Sequence, residues 1–256
     1  MKKIKGELKE IIDPEKLENY IGKTVNLNGS IYKIRKMSGF AFVLLRTARS
    51  VIQCVYSSEF SHCNINNLKE NSFVCLTGKV IEELRSKKGY EVRIINIRVL
   101  SKPEEDTPVV INNKEISASL ETKLDFRPIT LRNEKERAIF KIQEGICMGA
   151  RLFLHENKFT EIHSPKIVYA GAEGGANVFK MDYFGKQAYL AQSPQVYKQM
   201  MVGVYDRVYE IGPVFRAEKH DTARHLNEYI SLDLEMGYIE DFTEVMEMET
   251  RMLKAI

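Results

Sequence analysis

Residues 189–237 read YLAQSPQVYKQMMVGVYDRVYEIGPVFRAEKHDTARHLNEYISLDLEMG, and their alternation decides the fold. Arg207–Phe215 reads as a strand, a polar loop rich in His and Arg follows, and an alternating run over Ile230–Met236 lies within a second strand over Tyr229–Tyr238. Two strands joined by a polar connection predict an antiparallel pair. Ahead of them a helix is expected over Pro194–Val202, opened by Gln192-Ser193-Pro194-Gln195. Antiparallel strands with helices packed on them give an α+β domain.

Upstream, Asn133–Asn157 shows helical spacing, with Ile139, Ile142, Ile146, Gly149, Ala150, Phe153 and Leu154 on one face. Phe159–Ile162 reads as a strand that ends at Ser164-Pro165. GAEGGA at 171–176 reads as a Gly-rich loop, and strands are expected at Val178–Met181 and Gln187–Leu190. Downstream, Asp241–Ile256 predicts a last helix opened by Asp241 or Thr243.

The front of the chain has a different pattern. Asp13 and Pro14 open a short helical lead-in over 13–20. Five short strands follow by residue 100, beginning at Thr24, Ala41, Val51, Phe73 and Tyr90, with a helical patch expected near Ser58–Glu70. Five strands with a helix before the fourth favour a small closed barrel of the oligonucleotide/oligosaccharide-binding (OB) type over a sandwich. We therefore expect a barrel domain at 1–102, a Pro-containing acidic linker at 103–120 and the second domain at 121–256.

Charge follows the same division. Residues 1–102 carry 19 Lys/Arg against 10 Asp/Glu, whereas the rest carries 19 against 25. A basic front joined to an acidic back suggests a polyanionic partner for the front. No apolar run approaches the roughly 18–20 residues of a membrane span. The four cysteines, Cys54, Cys63, Cys75 and Cys147, form no CxxC pair, so reduced structural thiols in a cytoplasmic protein are expected rather than a zinc site.

Several side chains suit nucleic-acid and nucleotide chemistry. Phe40 and Phe42 share one face of a strand, with Arg35 before them and Gln53 on the next strand. Aromatic stacking plus cations holds single-stranded nucleic acid, and Gln offers both donor and acceptor to a base edge. Simple core packing is the alternative for Phe42. Arg216 and Glu218 lie two apart at a strand end, where Arg216 could clamp a phosphate and Glu218 accept from an exocyclic amine. Arg224 and His225 have reach for outer phosphates, and Tyr229 could stack on a base. Lys198, three residues after Gln195, shares a helix face with it and suits a small carboxylate. Each alone has a plain reading as a surface ion pair worth about 0–1 kcal/mol.

Taken together, QSPQVYKQ followed by RVYEIGPVFRAEKHDTARHLNE resembles the aspartyl-tRNA synthetases, in their archaeal/eukaryotic-like branch, over essentially the whole chain. FRAE…RHLNE looks like motif 2 of the class II synthetases, and the helix and strand over 133–165 look like motif 1, the family's dimer-forming element. The resemblance implies a homodimer, an anticodon-binding barrel and part of a class II antiparallel-sheet catalytic domain. It implies that Phe42 stacks on an anticodon base, with Gln53 and Arg35 as polar contacts. Aspartate would be held by Glu173, Ser193, Gln195, Lys198 and Asp233, with Val196, Tyr197 and Arg216 beside them. ATP would be held by Arg216, Ala217, Glu218, Arg224, His225, Leu226 and Tyr229, the last standing where the family usually has Phe. Arg216 is the catalytic residue so implied.

The implied reaction activates L-aspartate with ATP and Mg2+ and transfers it to tRNA(Asp), with tRNA(Asn) left open as a second acceptor. Tyr32 stands where strict archaeal enzymes tend to carry Trp, which bears on that choice. The third class II motif, with its ATP-binding Arg, and the Mg2+ ligands are absent through Ile256, so no metal ligand is expected within this chain. A truncated piece of a longer synthetase is expected; a tRNA-binding paralogue without catalysis is the rival. An asparaginyl enzyme would not need Lys198 in this frame, and a lysyl enzyme would have its substrate repelled by it.

Overall fold

The computed structural model describes residues 12–169, 177–220, 222 and 225–256. Contacts divide the chain into two compact units, 1–136 and 137–256.

In the first unit, Asp13 accepts from the Glu15 N–H and starts a 3-10 turn, Pro14–Tyr20, that buries Leu17. Five strands follow: β1 (Thr24–Lys36), β2 (Phe40–Arg46), β3 (Val51–Ser57), β4 (Phe73–Glu82) and β5 (Tyr90–Ser101). They close into a barrel in the order β1-β2-β3-β5-β4, which removes open edges. Alternation sends Val25, Leu27, Val43, Leu45, Val74 and Leu76 inward, each at 1% exposure or less. Burial of each such side chain is worth about 1.5–3 kcal/mol. Strand crossing needs glycine at Gly78, where a Cβ would lie 2.5 Å from Val92 and 2.7 Å from the Arg93 carbonyl.

The helical patch expected at 58–70 is reduced to one 3-10 turn, Ile65–Asn67, capped by Asn64. The backbone there is bonded elsewhere: Phe60 and Ser61 donate to the Ser57 carbonyl, and His62 donates to Ile95 on β5.

The stretch read as a linker packs a small core of its own, Val109, Ile111 and Ile116. The Ile111 carbonyl accepts from Tyr32 Oη and from Asn133 Nδ2, both at 2.8 Å. Two short helices, α1 (Leu120–Asp125) and α2 (Arg127–Thr130), then lead to α3 (Glu134–Glu156). Asn133 caps α3, its Oδ1 accepting from Lys135 N–H at 2.9 Å and Glu136 N–H at 3.3 Å.

The second unit continues with β6 (Thr160–Glu161), β7 (Ile167–Val168), β8 (Lys180–Tyr183), β9 (Lys186–Leu190), α4 (Gln195–Tyr205), β10 (Arg207–Phe215), β11 (Glu228–Met236) and α5 (Thr243–Ala255). Two three-stranded sheets result, β11-β10-β6 and β7-β9-β8. All nine residues of β10 pair with β11, from Arg207 opposite Met236 to Phe215 opposite Glu228, without a bulge. Leu154, Phe159, Tyr209, Met248 and Met252 form the core on one side, with Ile211, Leu232, Leu234 and Met236 against it. Among the described residues no helix is long and apolar enough to cross a membrane.

Candidate functional site

Alternation sorts β11 into two faces. Leu232, Leu234 and Met236 pack on the core, so Tyr229, Ser231, Asp233 and Glu235 share the opposite face. In register, Val214, Gly212, Glu210 and Val208 of β10 lie beside them. Helix α4 brings Lys198 onto this polar face. Lys198 is 6% exposed, with Nζ 3.1 Å from Asp233 Oδ1 and 3.5 Å from Glu235 Oε2. Ser231 Oγ donates to the other Asp233 oxygen at 2.6 Å. One cation facing two carboxylates leaves the cluster at net −1, which attracts a further ammonium. An incoming carboxylate would share Lys198 with Asp233.

A second buried pair stands next to the first. Glu210, opposite Asp233 in register, is 2% exposed. It accepts from Ser164 N–H at 3.2 Å and Ser164 Oγ at 2.6 Å, and pairs with Lys166 Nζ at 2.7 Å. Sequence reasoning did not single out this pair. The available signal was a carboxylate in the middle of an otherwise apolar strand, which needs a partner to be buried.

At the head of α4, Ser193 Oγ accepts the Gln195 N–H at 3.2 Å, so the hydroxyl serves the helix start. Gln195 and Tyr197 are half-buried, whereas Val196 points outward and is exposed, because helical rotation carries it off the face of Lys198. The β10 strand end is held by backbone bonds: Phe215 to Ala191, Arg216 to Asn227 and Ala217 to Asn177. Tyr229, half-buried, stands opposite Val214. Glu218 N–H donates to the Arg216 carbonyl at 2.8 Å. The backbone therefore turns there, and strand alternation does not place Arg216 and Glu218 on one side as expected. In the following loop His225 Nδ1 lies 2.7 Å from Thr222 Oγ1, the His220 and His225 rings are 5.4 Å apart, and Leu226 is exposed. Glu173, Arg224 and the Gly-rich loop lie outside the described residues.

The barrel carries a separate candidate interface. Because β2 turns Ala41, Val43 and Leu45 inward, Phe40 and Phe42 stand outside, edge to face at 5.3 Å. Core packing is thus not the role of Phe42. Arg35 belongs to β1 directly opposite Phe42, and Gln53, opposite Leu44, shares the face. A pocket of about 430 Å³ is lined by Phe40, Phe42, Gln53, Glu83, Arg85 and Glu91 among others. Gln53 Nε2 donates to Glu91 Oε2 at 3.3 Å. The hydrogen bond from Arg85 holds the Glu83 carboxyl down at about 2. Glu83, Arg85 and Glu91 were missed, since their place depends on how the β4–β5 turn folds back. Tyr32 does not line this pocket; it is buried with its hydroxyl on Ile111.

The four thiols are free, and burial pushes those of Cys54 and Cys63 up. Those two are thereby held in the unreactive thiol form.

Both parts of the chain have matches among known proteins. Residues 25–100 match the OB-fold nucleic acid binding domain, tRNA_anti-codon. The chain is 48% identical over 240 residues to an aspartate–tRNA(Asp/Asn) ligase of Deinococcus radiodurans, covering 94% of this chain and 54% of that protein. It is 39% identical over 241 residues to an aspartate–tRNA(Asp) ligase of Thermococcus kodakarensis, covering 92% and 55%. The chain thus spans about half the length of the curated relatives it matches. Among solved structures, the asparaginyl-tRNA synthetase of Pyrococcus horikoshii complexed with asparaginyl-adenylate superposes with a TM-score of 0.88 at 31% identity, over 96% of this chain and 57% of that one. The aspartyl-tRNA synthetase of Entamoeba histolytica gives 0.77 at 28% identity, over 96% and 54%. Residues 119–256, more than half of the chain, match tRNA synthetases class II (D, K and N), and the chain belongs to that family.

Proposed function

We propose that this chain carries the anticodon-binding and amino-acid-activating parts of an aspartate–tRNA ligase. The observation that carries the reading is the buried Lys198 on the polar face of β11, between Asp233 and Glu235 and on the sheet whose strand β10 ends at Phe215, just before Arg216. In the reaction, the aspartate α-carboxylate attacks the α-phosphate of ATP and pyrophosphate leaves. A ribose hydroxyl of the tRNA terminus then attacks the aspartyl carbonyl and AMP leaves. Lys198 shares its charge with the substrate side-chain carboxylate, and Asp233 attracts the α-ammonium. Arg216 faces the α-phosphate and stabilises the charge that builds there, and Tyr229 offers a ring to adenine. Glu173, Arg224 and His225 complete the amino-acid and outer-phosphate contacts in this reading.

Among the described residues no three His, Cys, Asp or Glu side chains gather as a metal cluster, so no step is assigned to a Mg2+ ligand of this chain. Mg2+ bound with ATP would neutralise phosphate charge.

Phe42, Gln53 and Arg35 bind the anticodon of tRNA(Asp). Relatives that name both tRNA(Asp) and tRNA(Asn) favour tRNA(Asn) as a second acceptor. Ile139, Ile142 and Ile146 form an exposed apolar stripe on α3 that supports a homodimer. A cytoplasmic protein fits this reading.

ATP–pyrophosphate exchange by the full-length protein tests it. Exchange that depends on L-aspartate, and not on L-asparagine or L-lysine, is expected; preference for asparagine would overturn the aspartate assignment. Because the chain spans half the length of its relatives, tRNA binding without activation is the second reading, and absence of exchange with every amino acid would favour it.

A further inference from the structure

We propose that Gln192 is a further substrate-positioning residue, whose buried side-chain oxygen accepts a hydrogen bond from the α-ammonium of the bound amino acid. The proposal rests on the amino-acid activation reading above. Gln192 is 1% exposed. Its Nε2 lies 3.4 Å from the Asn177 carbonyl, and only the NH2 end of an amide can face a carbonyl oxygen. Oε1 therefore points away from Asn177, and it is buried with no hydrogen-bond partner among the described residues. Buried side-chain acceptors are nearly always satisfied, so this oxygen is built to receive a donor.

The surroundings identify the donor. The next residue, Ser193, starts the helix that carries Lys198. The Asn177 carbonyl that takes Gln192 also takes the Ala217 N–H at 3.0 Å, and Ala217 follows Arg216. The amide thus sits between the block bearing Lys198 and the strand end bearing Arg216. Aspartate brings two carboxylates, which only accept, and one ammonium, which only donates. An amide oxygen suits the ammonium, and it adds no further carboxylate to compete for Lys198.

Two substitutions in the full-length protein separate this role from a structural one. Gln192→Met keeps length and removes the acceptor, whereas Gln192→Asn keeps the amide but draws it back by one methylene. In ATP–pyrophosphate exchange, Q192M should raise the KM for aspartate about tenfold or more, the scale of one hydrogen bond to a charged group, and leave the KM for ATP within about twofold. Q192N should lose affinity for aspartate in the same way, with the KM for ATP again unchanged. Succinate, which is aspartate without its ammonium, gives a second readout by calorimetry. Wild type should prefer aspartate to succinate, and Q192M should narrow that preference about tenfold through aspartate alone.

An unchanged aspartate KM in Q192M overturns the proposal. So does an equal loss of aspartate and succinate binding, which marks a scaffold role. Should Q192M fail to fold, Q192N decides, since an unchanged preference for aspartate over succinate there is equally fatal. Absence of aspartate-dependent exchange in wild type would defeat the activation reading itself, and is seen before any substitution is made.

Discussion

The barrel and the β10–β11 sheet both hold polar side chains on a rigid plane, but they separate scaffold from site differently. In the barrel the core is apolar, and the pocket side chains Phe42 and Gln53 stand on the opposite, outer face. In the β10–β11 sheet, charge itself is buried. Lys198 and Glu210 are 6% and 2% exposed, and each is held by oppositely charged neighbours. The barrel can therefore lose a binding residue and keep its fold, whereas in the sheet one side chain serves both ends.

The strongest break of this comparison is Glu210→Ala. It strands Lys166 and removes the acceptor of Ser164, and removing one partner of a buried pair costs about 3–5 kcal/mol. Chemical denaturation should show that loss; a loss below about 1 kcal/mol would mean that water already screens the pair. Lys198→Ala should come next. It leaves Asp233 and Glu235 facing each other uncompensated, so aspartate affinity and stability should fall together, while binding of an anticodon stem–loop stays unchanged. Loss of both kinds of binding would show that the units are not independent.

Phe42→Ala sharpens the contrast from the other side. RNA binding should weaken by about 1–3 kcal/mol, the worth of one stacked base, with the melting temperature unchanged. A falling melting temperature would return Phe42 to the scaffold. The smallest effect concerns pH. Burial raises the Glu161 carboxyl, but hydrogen bonds from Arg151 and Tyr209 outweigh it and hold the group below its ordinary 4.5. That contribution is present above pH 4.5 and is lost as pH falls through the lowered folded value. Wild type and Glu161→Gln should thus converge in stability on acidification. Tyr209 is pushed up to about 12 by burial and then by Glu161, so its contribution holds below pH 10 and fades as pH rises toward 12.

Much of the fold was legible because it is local. Alternation over 24–101 foretold five strands, Arg207–Phe215 matches β10 residue for residue, and helical spacing over 133–157 gave α3 to within a residue at each end. What failed was decided by distant partners. Alternation showed that Phe42 and Val43 face opposite ways but not which faced in; closure of β1 on β4 settled that. Residues 58–70 lost their helix to bonds with β5, and β7 is too short at two residues to leave a periodic trace. The Lys166–Glu210 pair spans 44 positions, and no pattern in either segment announces the other.

The unbroken β10–β11 register also governs which changes in chain length the protein can absorb. A residue inserted within β11 before Asp233 would exchange the two faces beyond it, sending Asp233 and Glu235 toward Leu154 and Met248 and lifting Leu234 into the polar side. Insertions between Glu218 and Asn227 would leave that pairing intact, because the strand ends are already fastened by Arg216 to Asn227 and Phe215 to Ala191. Length variation among related sequences should accordingly gather in that loop and be missing from the two strands.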